Sequence, residues 1–394
     1  MRNTVPKIGF FLVLFFVFTP YLQAQGDRIF LLDQGLSLVE QRRVVVLKKG
    51  INKIIFSPLP EGMVKESIYP QLKGCRFLEQ SFSSPSSLTW KVNSKIDGQE
   101  ELKVTYLTKG INWKISYQME IDEKERYFNL FAWLSLENKT DMSFSSVKLA
   151  FVRERVFQSQ IKKEGDLSSP GNPSKKVNLN PLVQSNIRID VKGEDIIYYL
   201  NMPVELEKNQ AKTFLIFSLL NVPVSKVYLF DGEKYGDEVR EEISFKNLFD
   251  SNLNFFLPAG KIYIFRDISE GEKLFVGTQD LPQVPPDAQS FIYLRSARGI
   301  TGRRIQTFYK EVQLGPVEKN IYKKEVAREY GYQLIFFNSR ATPVVIKVVE
   351  HLYGFWEILE SNPQNYREMR DRIIYELNVP PHTEKIIKYR ARII

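Results

Sequence analysis

The sequence predicts an all-β protein: tandem antiparallel, immunoglobulin-like β-sandwich domains behind a small N-terminal β domain. Nearly every apolar segment has the period of a strand, as in "NWKISYQMEID", where Trp113, Ile115, Tyr117, Met119 and Ile121 fall on one side. β-branched and aromatic residues dominate these segments, and Gly, Pro, Asn and Asp separate them at short intervals. Helical signal is confined to "NPQNYREMRDRII", Asn362 to Ile374, which reads equally well as a long polar loop.

Arg2 and Lys7 precede the apolar run Ile8 to Phe18, and Ala24 offers a small residue for cleavage, so residues 1-24 read as a secretory signal peptide. No later stretch approaches about 18 uninterrupted apolar residues. The expectation is an exported chain, periplasmic or extracellular, with no stable transmembrane segment after signal cleavage.

Residues 25-98 read as the small β domain. There "RRVVVLKKGINKIIFSPLP" gives two strands around Lys48, Lys49 and Gly50. Residues 99-222 read as a β-sandwich in which Phe128, Leu130, Ala132, Leu134 and Leu136 share one face, "SSVKLAFVRERV" supplies a partner strand, and a polar insertion lies near 153-180. Residues 223-394 read as a C-terminal β-sandwich. Its last strand, "KIIKYRARII", sets Ile386, Lys388 and Arg390 against Ile387, Tyr389 and Ala391, which suggests a sheet edge. No tandem repeat of fixed period stands out, although "LSLENKTDMSFSSVKLAF" and "LIFFNSRATPVVIKVVEHL" are alike in design.

The stretches "LLDQGLSLVEQRRVVVLKKGINKIIFSPLPEGMVKESIYPQ", "VTYLTKGINWKISYQMEI", "FFLPAGKIYIFR" and "YELNVPPHTEKIIKYRARI", in that order, resemble bacterial exported proteins carrying the domain of unknown function numbered 4139. Here the segment between "LEQSF" and "VTYLTKG" is short, and Phe144 stands where the family often has Trp. The resemblance implies an exported envelope β protein of undetermined activity, and it carries no catalytic residues.

Composition limits the chemistry. With 55 Lys and Arg against 46 Asp and Glu the formal charge is +9, but it is spread along the chain, so a solvated surface is expected and, with an export signal, no nucleic acid. Cys75 is the sole cysteine and reads as a small buried residue. The two histidines lack companions at ligand spacing, so no metal and no cofactor is expected. His351 reads as a hydrogen-bonded residue closing a strand, His382 as a solvated turn residue, and "ARGITGRR" as a β-turn with a solvated basic flank. Carboxylates such as Asp231, Asp237, Glu350 and Glu357 leave room for a carboxylate-dependent hydrolase, but spacing does not rank them and no catalytic residue is assigned.

Aromatic residues form 13% of the chain, which directs attention to the tryptophans. Trp113 reads as core, whereas Trp133, Tyr353 and Trp356 are the candidate ligand-binding residues, because exposed aromatics stack on sugars or anchor protein interfaces. The favoured function is a noncatalytic exported envelope protein acting in protein-protein interaction or structural assembly, with another envelope or secreted protein as partner. Carbohydrate or envelope-polymer binding is the alternative, ahead of the hydrolase.

Overall fold

A computed structural model describes residues 26–83, 86–154, 182–247, 256–269, 271–313 and 326–394. Residues 1-24, which the sequence predicts to be a signal peptide, and nearly all of the predicted polar insertion near 153-180 lie outside the described residues. The protein is all-β, with one four-residue α-helix and two 3-10 turns among the described residues. No helix among these residues is long and apolar enough to cross a membrane.

In chain order the strands are β1 (Arg28–Leu31), β2 (Leu36–Leu47), β3 (Gly50–Phe56), β4 (Tyr69–Leu72), β5 (Cys75–Ser83), β6 (Ser87–Ser94), β7 (Gly98–Lys109) and β8 (Ile111–Ile121). There follow β9 (Tyr127–Asn138), β10 (Phe144–Glu154), β11 (Leu182–Ser185), β12 (Ile187–Lys192), β13 (Asp195–Leu200), β14 (Val204–Leu206) and β15 (Gln210–Pro223). The chain continues with β16 (Ser225–Asp231), helix α1 (Gly232–Tyr235), β17 (Val239–Lys246), β18 (Gly260–Asp267), β19 (Lys273–Leu281), β20 (Gln289–Ser296) and β21 (Ile300–Gln313). It closes with β22 (Val326–Asn338), β23 (Val344–His351), β24 (Trp356–Asn362), β25 (Tyr366–Glu368), β26 (Arg372–Val379) and β27 (Thr383–Ile393).

One arrangement occurs twice. A sheet ordered β13-β10-β1-β2-β7 has its counterpart in β26-β23-β16-β17-β20, and β15-β9-β8 in β27-β22-β21. Each first strand runs parallel to the sixth, β1 to β10 and β16 to β23, whereas its pairing with the second is antiparallel. Insertions fall at the same point in both: β3 to β6 between β2 and β7, and β18 and β19 between β17 and β20. The first insertion holds the three-stranded sheet β3-β6-β5, while β18 joins β8 in parallel.

Two asparagines mark the repeat most clearly. The Asn138 side-chain amide donates to the carbonyls of Met142, Leu206 and Glu207 at 2.8, 3.3 and 3.0 Å, while its oxygen accepts from the Thr140 N–H at 3.0 Å. Asn338 donates to Thr342, Val379 and Pro380 at 2.9, 3.1 and 3.2 Å and accepts from Arg340 N–H at 3.0 Å. Both side chains are fully buried, and each ties its own turn to main-chain carbonyls of a strand distant in the chain.

Among the described residues, those of Met1–Trp113, Leu136–Glu154 and Asp190–Lys212 form one compact unit, and those of Lys114–Ser135, Arg155–Ile189 and Thr213–Ile394 a second. These units are discontinuous in sequence, unlike the consecutive blocks ending at 98 and 222. In the first, Trp113 keeps its place on the apolar side of β8 but is only half-buried. Its N–H donates to the Leu32 carbonyl at 2.7 Å and its ring lies 5.3 Å from Phe151. In the second, one core cluster gathers Phe230 and Val239 with Val344, Ile346, Val348, Ile373 and Tyr375 from one sheet, and Leu334, Phe336, Ile387 and Tyr389 from another.

Several local readings are corrected. β10 is not the ladder partner of β9, nor β3 of β2, because each short turn carries the chain into a different sheet. Residues 362–374 contribute β25 and the start of β26. β27 is no edge: it lies between β22 and β24, and Ile387, Tyr389 and Ala391 form a buried face that the basic residues on its other side had obscured. Cys75 is only partly buried, at the start of β5.

Candidate functional site

The sheet β15-β9-β8-β18-β19 has one face packed and one outward. Alternation in β9 buries Leu130, Ala132 and Leu134 and turns Trp133 outward, where it is partly exposed. Its indole N–H donates to Gln118 Oε1 at 3.1 Å. Gln118 lies opposite Tyr263 of β18, which lies opposite Thr278 of β19, so these side chains share the outward face. Beside them Glu120 lies opposite Phe265, whose ring sits 5.6 Å from Phe275. Trp133, Tyr263, Phe265 and Phe275 thus share one aromatic surface interleaved with polar residues. On the β18–β19 hairpin, Tyr263 is 39%, Ile268 37%, Leu274 46% and Phe275 54% exposed.

β19 also ends the sheet. Among the described residues no strand pairs with its far side. The edge of β20, by contrast, is closed by a side chain: Gln279 accepts from the Tyr293 N–H at 3.0 Å and donates to the Phe291 carbonyl at 3.4 Å, imitating a strand partner. Gly277 of β19 has an ordinary backbone angle, and an added Cβ there would meet nothing within 4 Å, so no packing within the described structure excludes a side chain.

One strand in from this edge, Arg266 of β18 joins an ion-pair cluster. Two buried carboxylates, Glu125 and Glu241, are held by four partly exposed cations. Arg295 reaches Glu125 at 2.8 Å and Glu241 at 2.6 Å, Arg266 reaches Glu125 at 3.3 Å, and Arg340 reaches Glu241 at 3.6 Å. Lys226 bridges both acids. Burial alone raises the Glu125 carboxyl, but Lys226 and Arg295 more than reverse this and hold it below the ordinary carboxylate value. Glu40, with Lys103 and Arg42, is lowered in the same way against the effect of burial. A carboxylate lowered on folding contributes stability that is present above its unfolded pKa and lost as pH falls through the folded one. The urea midpoint should therefore fall as pH drops through and below the ordinary carboxylate range, and less steeply in Glu125→Gln; parallel curves for the two proteins would contradict this assignment.

Tyr353 and Trp356 lie elsewhere in the second unit, so the three sequence candidates do not share one surface. Trp356 begins β24, packs against the core and donates to the Arg370 carbonyl at 3.1 Å. Tyr353 is 58% exposed on the preceding turn, next to Phe355 at 81%. Tyr353 donates to Glu233 at 2.9 Å and stacks on His351, which bonds Asp231 at 2.9 Å, so His351 closes its strand in a hydrogen bond. His382 is exposed in a turn.

Below this turn is a polar centre that sequence spacing did not identify. Glu350, buried on β23, accepts from Arg304 Nε at 2.9 and 3.2 Å and from the Tyr389 hydroxyl, and the Arg304 guanidinium lies 3.7 Å over the Tyr332 ring. Burial raises the Glu350 carboxyl, and Arg304 and Tyr389 only partly offset this. Arg304 is thus not part of a solvated flank as "ARGITGRR" suggested. Gly302 in that stretch lies against the Phe230 ring, where a Cβ would approach to 2.6 Å. The other acids considered are also engaged: Asp231 caps α1 and binds His351, Asp237 accepts from the Arg304 backbone N–H at 3.3 Å, and Glu357 pairs with Arg392 at 2.6 Å.

The repeat shows that the fold itself does not require this centre. On the strand after each asparagine, the inward series Val344, Ile346, Val348 and Glu350 corresponds to Phe144, Val147, Leu149 and Phe151, with one extra residue at the bulge near Ser146. Phe151 therefore occupies the place of Glu350, and Ala132 that of Tyr332. Among the described residues no cluster of His, Cys, Asp or Glu is arranged to hold a metal ion. No protein-family model matches the chain, and no curated protein matches it.

Proposed function

We propose that this chain is a noncatalytic exported protein of the bacterial envelope that works by binding another protein. The aromatic face and hairpin edge of the β8–β9–β18–β19 sheet serve as its docking surface. The observation that carries the reading is the grouping of exposed Tyr263, Ile268, Leu274 and Phe275 on one edge hairpin. Contiguous apolar residues at a protein surface mark interaction sites, and aromatic anchors supply much of the energy in such interfaces.

Two immunoglobulin-like sandwiches in tandem fit the repeated strand order, with β1 and β2 belonging to the first of them and the β3-β6-β5 sheet inserted between β2 and β7. The resemblance to the domain of unknown function 4139 and the signal at 1-24 support an envelope location. Carbohydrate or envelope-polymer binding is the second reading, supported by Trp133 and Tyr263 on one face of the sheet.

A photo-crosslinking residue introduced at Phe275 in cells should give a discrete protein adduct. Excess purified native chain should compete it away, whereas the Phe275→Asp chain should not. The same probe at Glu360, on another sheet, should give none. Absence of a competable protein adduct, or recovery of glycan alone, would count against protein binding.

A further inference from the structure

We propose that the free edge of β19 accepts an extended acidic segment of the partner protein as an added strand, its carboxylates facing the Arg266–Arg295–Lys226–Arg340 cluster. This mode rests on the protein-binding reading and specifies its partner chemistry. Three observations converge on it.

The first is the edge. Gln279 closes β20, whereas the stretch Lys273 to Thr278 has no strand on its far side among the described residues. An unpaired row of N–H and C=O groups on such a strand is a template for another chain.

The second is access. Gly277 lies opposite Ile264, and the space beside it is open, so the backbone can be approached without displacing a side chain. A glycine within a strand often marks close approach by a ligand or another backbone.

The third is charge. Leu274 lies opposite Arg266, so the position beyond Leu274 in an added strand would be about 10 Å from Arg266, two strand spacings away. An arginine and a glutamate side chain together span that distance. The cluster has four cations around two carboxylates, and both acids are buried beneath the partly exposed cations. It therefore presents surplus positive charge, with guanidinium groups already oriented by Glu125 and Glu241, and guanidinium-carboxylate pairing is strong and directional. Exposed apolar Leu274 and Phe275 would supply contacts to alternate side chains of the added strand.

The test uses the full chain and three labelled nine-residue peptides of alternating Thr and Val. One carries two Glu residues, one carries Lys at those positions, and one is the Glu peptide with alternate backbone nitrogens methylated. Binding is read by fluorescence anisotropy, with hydrogen exchange over Leu274 to Thr278. The Glu peptide should bind and slow exchange in that stretch. The Lys peptide should bind at least about tenfold more weakly, and so should the methylated peptide, which cannot complete the ladder. Leu274→Asp, at an exposed position, should weaken the Glu peptide by about tenfold and narrow its advantage over the Lys peptide.

Equal binding of Glu and Lys peptides would overturn the acidic partner, and undiminished binding of the methylated peptide would overturn strand addition. If no peptide binds while the Phe275 crosslink still captures a competable protein, this mode falls and protein binding stands. If both fail, both readings fall.

Discussion

Replacing Asn338 with alanine is expected to destabilise the protein by about 3–5 kcal/mol, since it removes four hydrogen bonds made by one fully buried side chain. The amide group donates to three carbonyls and its oxygen accepts a fourth bond, and the side chain that makes them is fully buried. Asn338→Asp preserves the shape but loses the donors and places a charge beside carbonyl oxygens, so it should be at least as harmful near neutral pH. Asn138→Ala should have a comparable effect, because its bonds follow the same scheme. Urea unfolding followed by tryptophan fluorescence measures all three variants. A loss below about 1 kcal/mol for both alanine variants would show that the turns hold without the asparagines.

The Glu350 centre should respond differently to one change than to three. Arg304→Met alone is expected to cost about 3–5 kcal/mol, because it leaves a buried carboxylate without its cation. The triple variant Arg304→Met, Glu350→Leu and Tyr389→Phe should recover most of that loss, since buried ion pairs replaced by well-packed apolar groups are often neutral or stabilising. The first half of the chain provides an internal precedent: Phe151, fully buried, stands where Glu350 stands in the second. If the triple variant is no more stable than Arg304→Met, the polar centre is a structural requirement of this half after all. If it is restored, the centre is retained for something other than stability. The same urea unfolding experiment decides.

The sequence made much of the local order legible. The buried series Phe128 to Leu136, the apolar side of β8 and the hydrogen-bonded His351 all follow from short-range alternation and the chemistry of single residues. The likeness of the "LENKTD" and "FFNSRAT" stretches was also visible, as two turns after apolar strands. Their role was not, because the carbonyls that Asn138 and Asn338 bind belong to residues distant in the chain, such as Leu206 and Val379. For the candidate sites, Trp133 was identified, but Tyr263, Phe265 and Phe275 on the same face were not. Their alternation resembles that of ordinary half-buried strands, and only the pairing of β18 with β8 and β19 brings them onto one face.

By itself the sequence determined the all-β class and which side of many strands is apolar, since side-chain direction in a strand reverses at every residue and can be read locally. Tertiary structure alone decided which strands pair, that one arrangement occurs twice, and that Arg304 meets Glu350 while β19 remains an edge. Pairing is made by backbone groups that are chemically the same in every strand, so the choice depends on the packing of the whole chain.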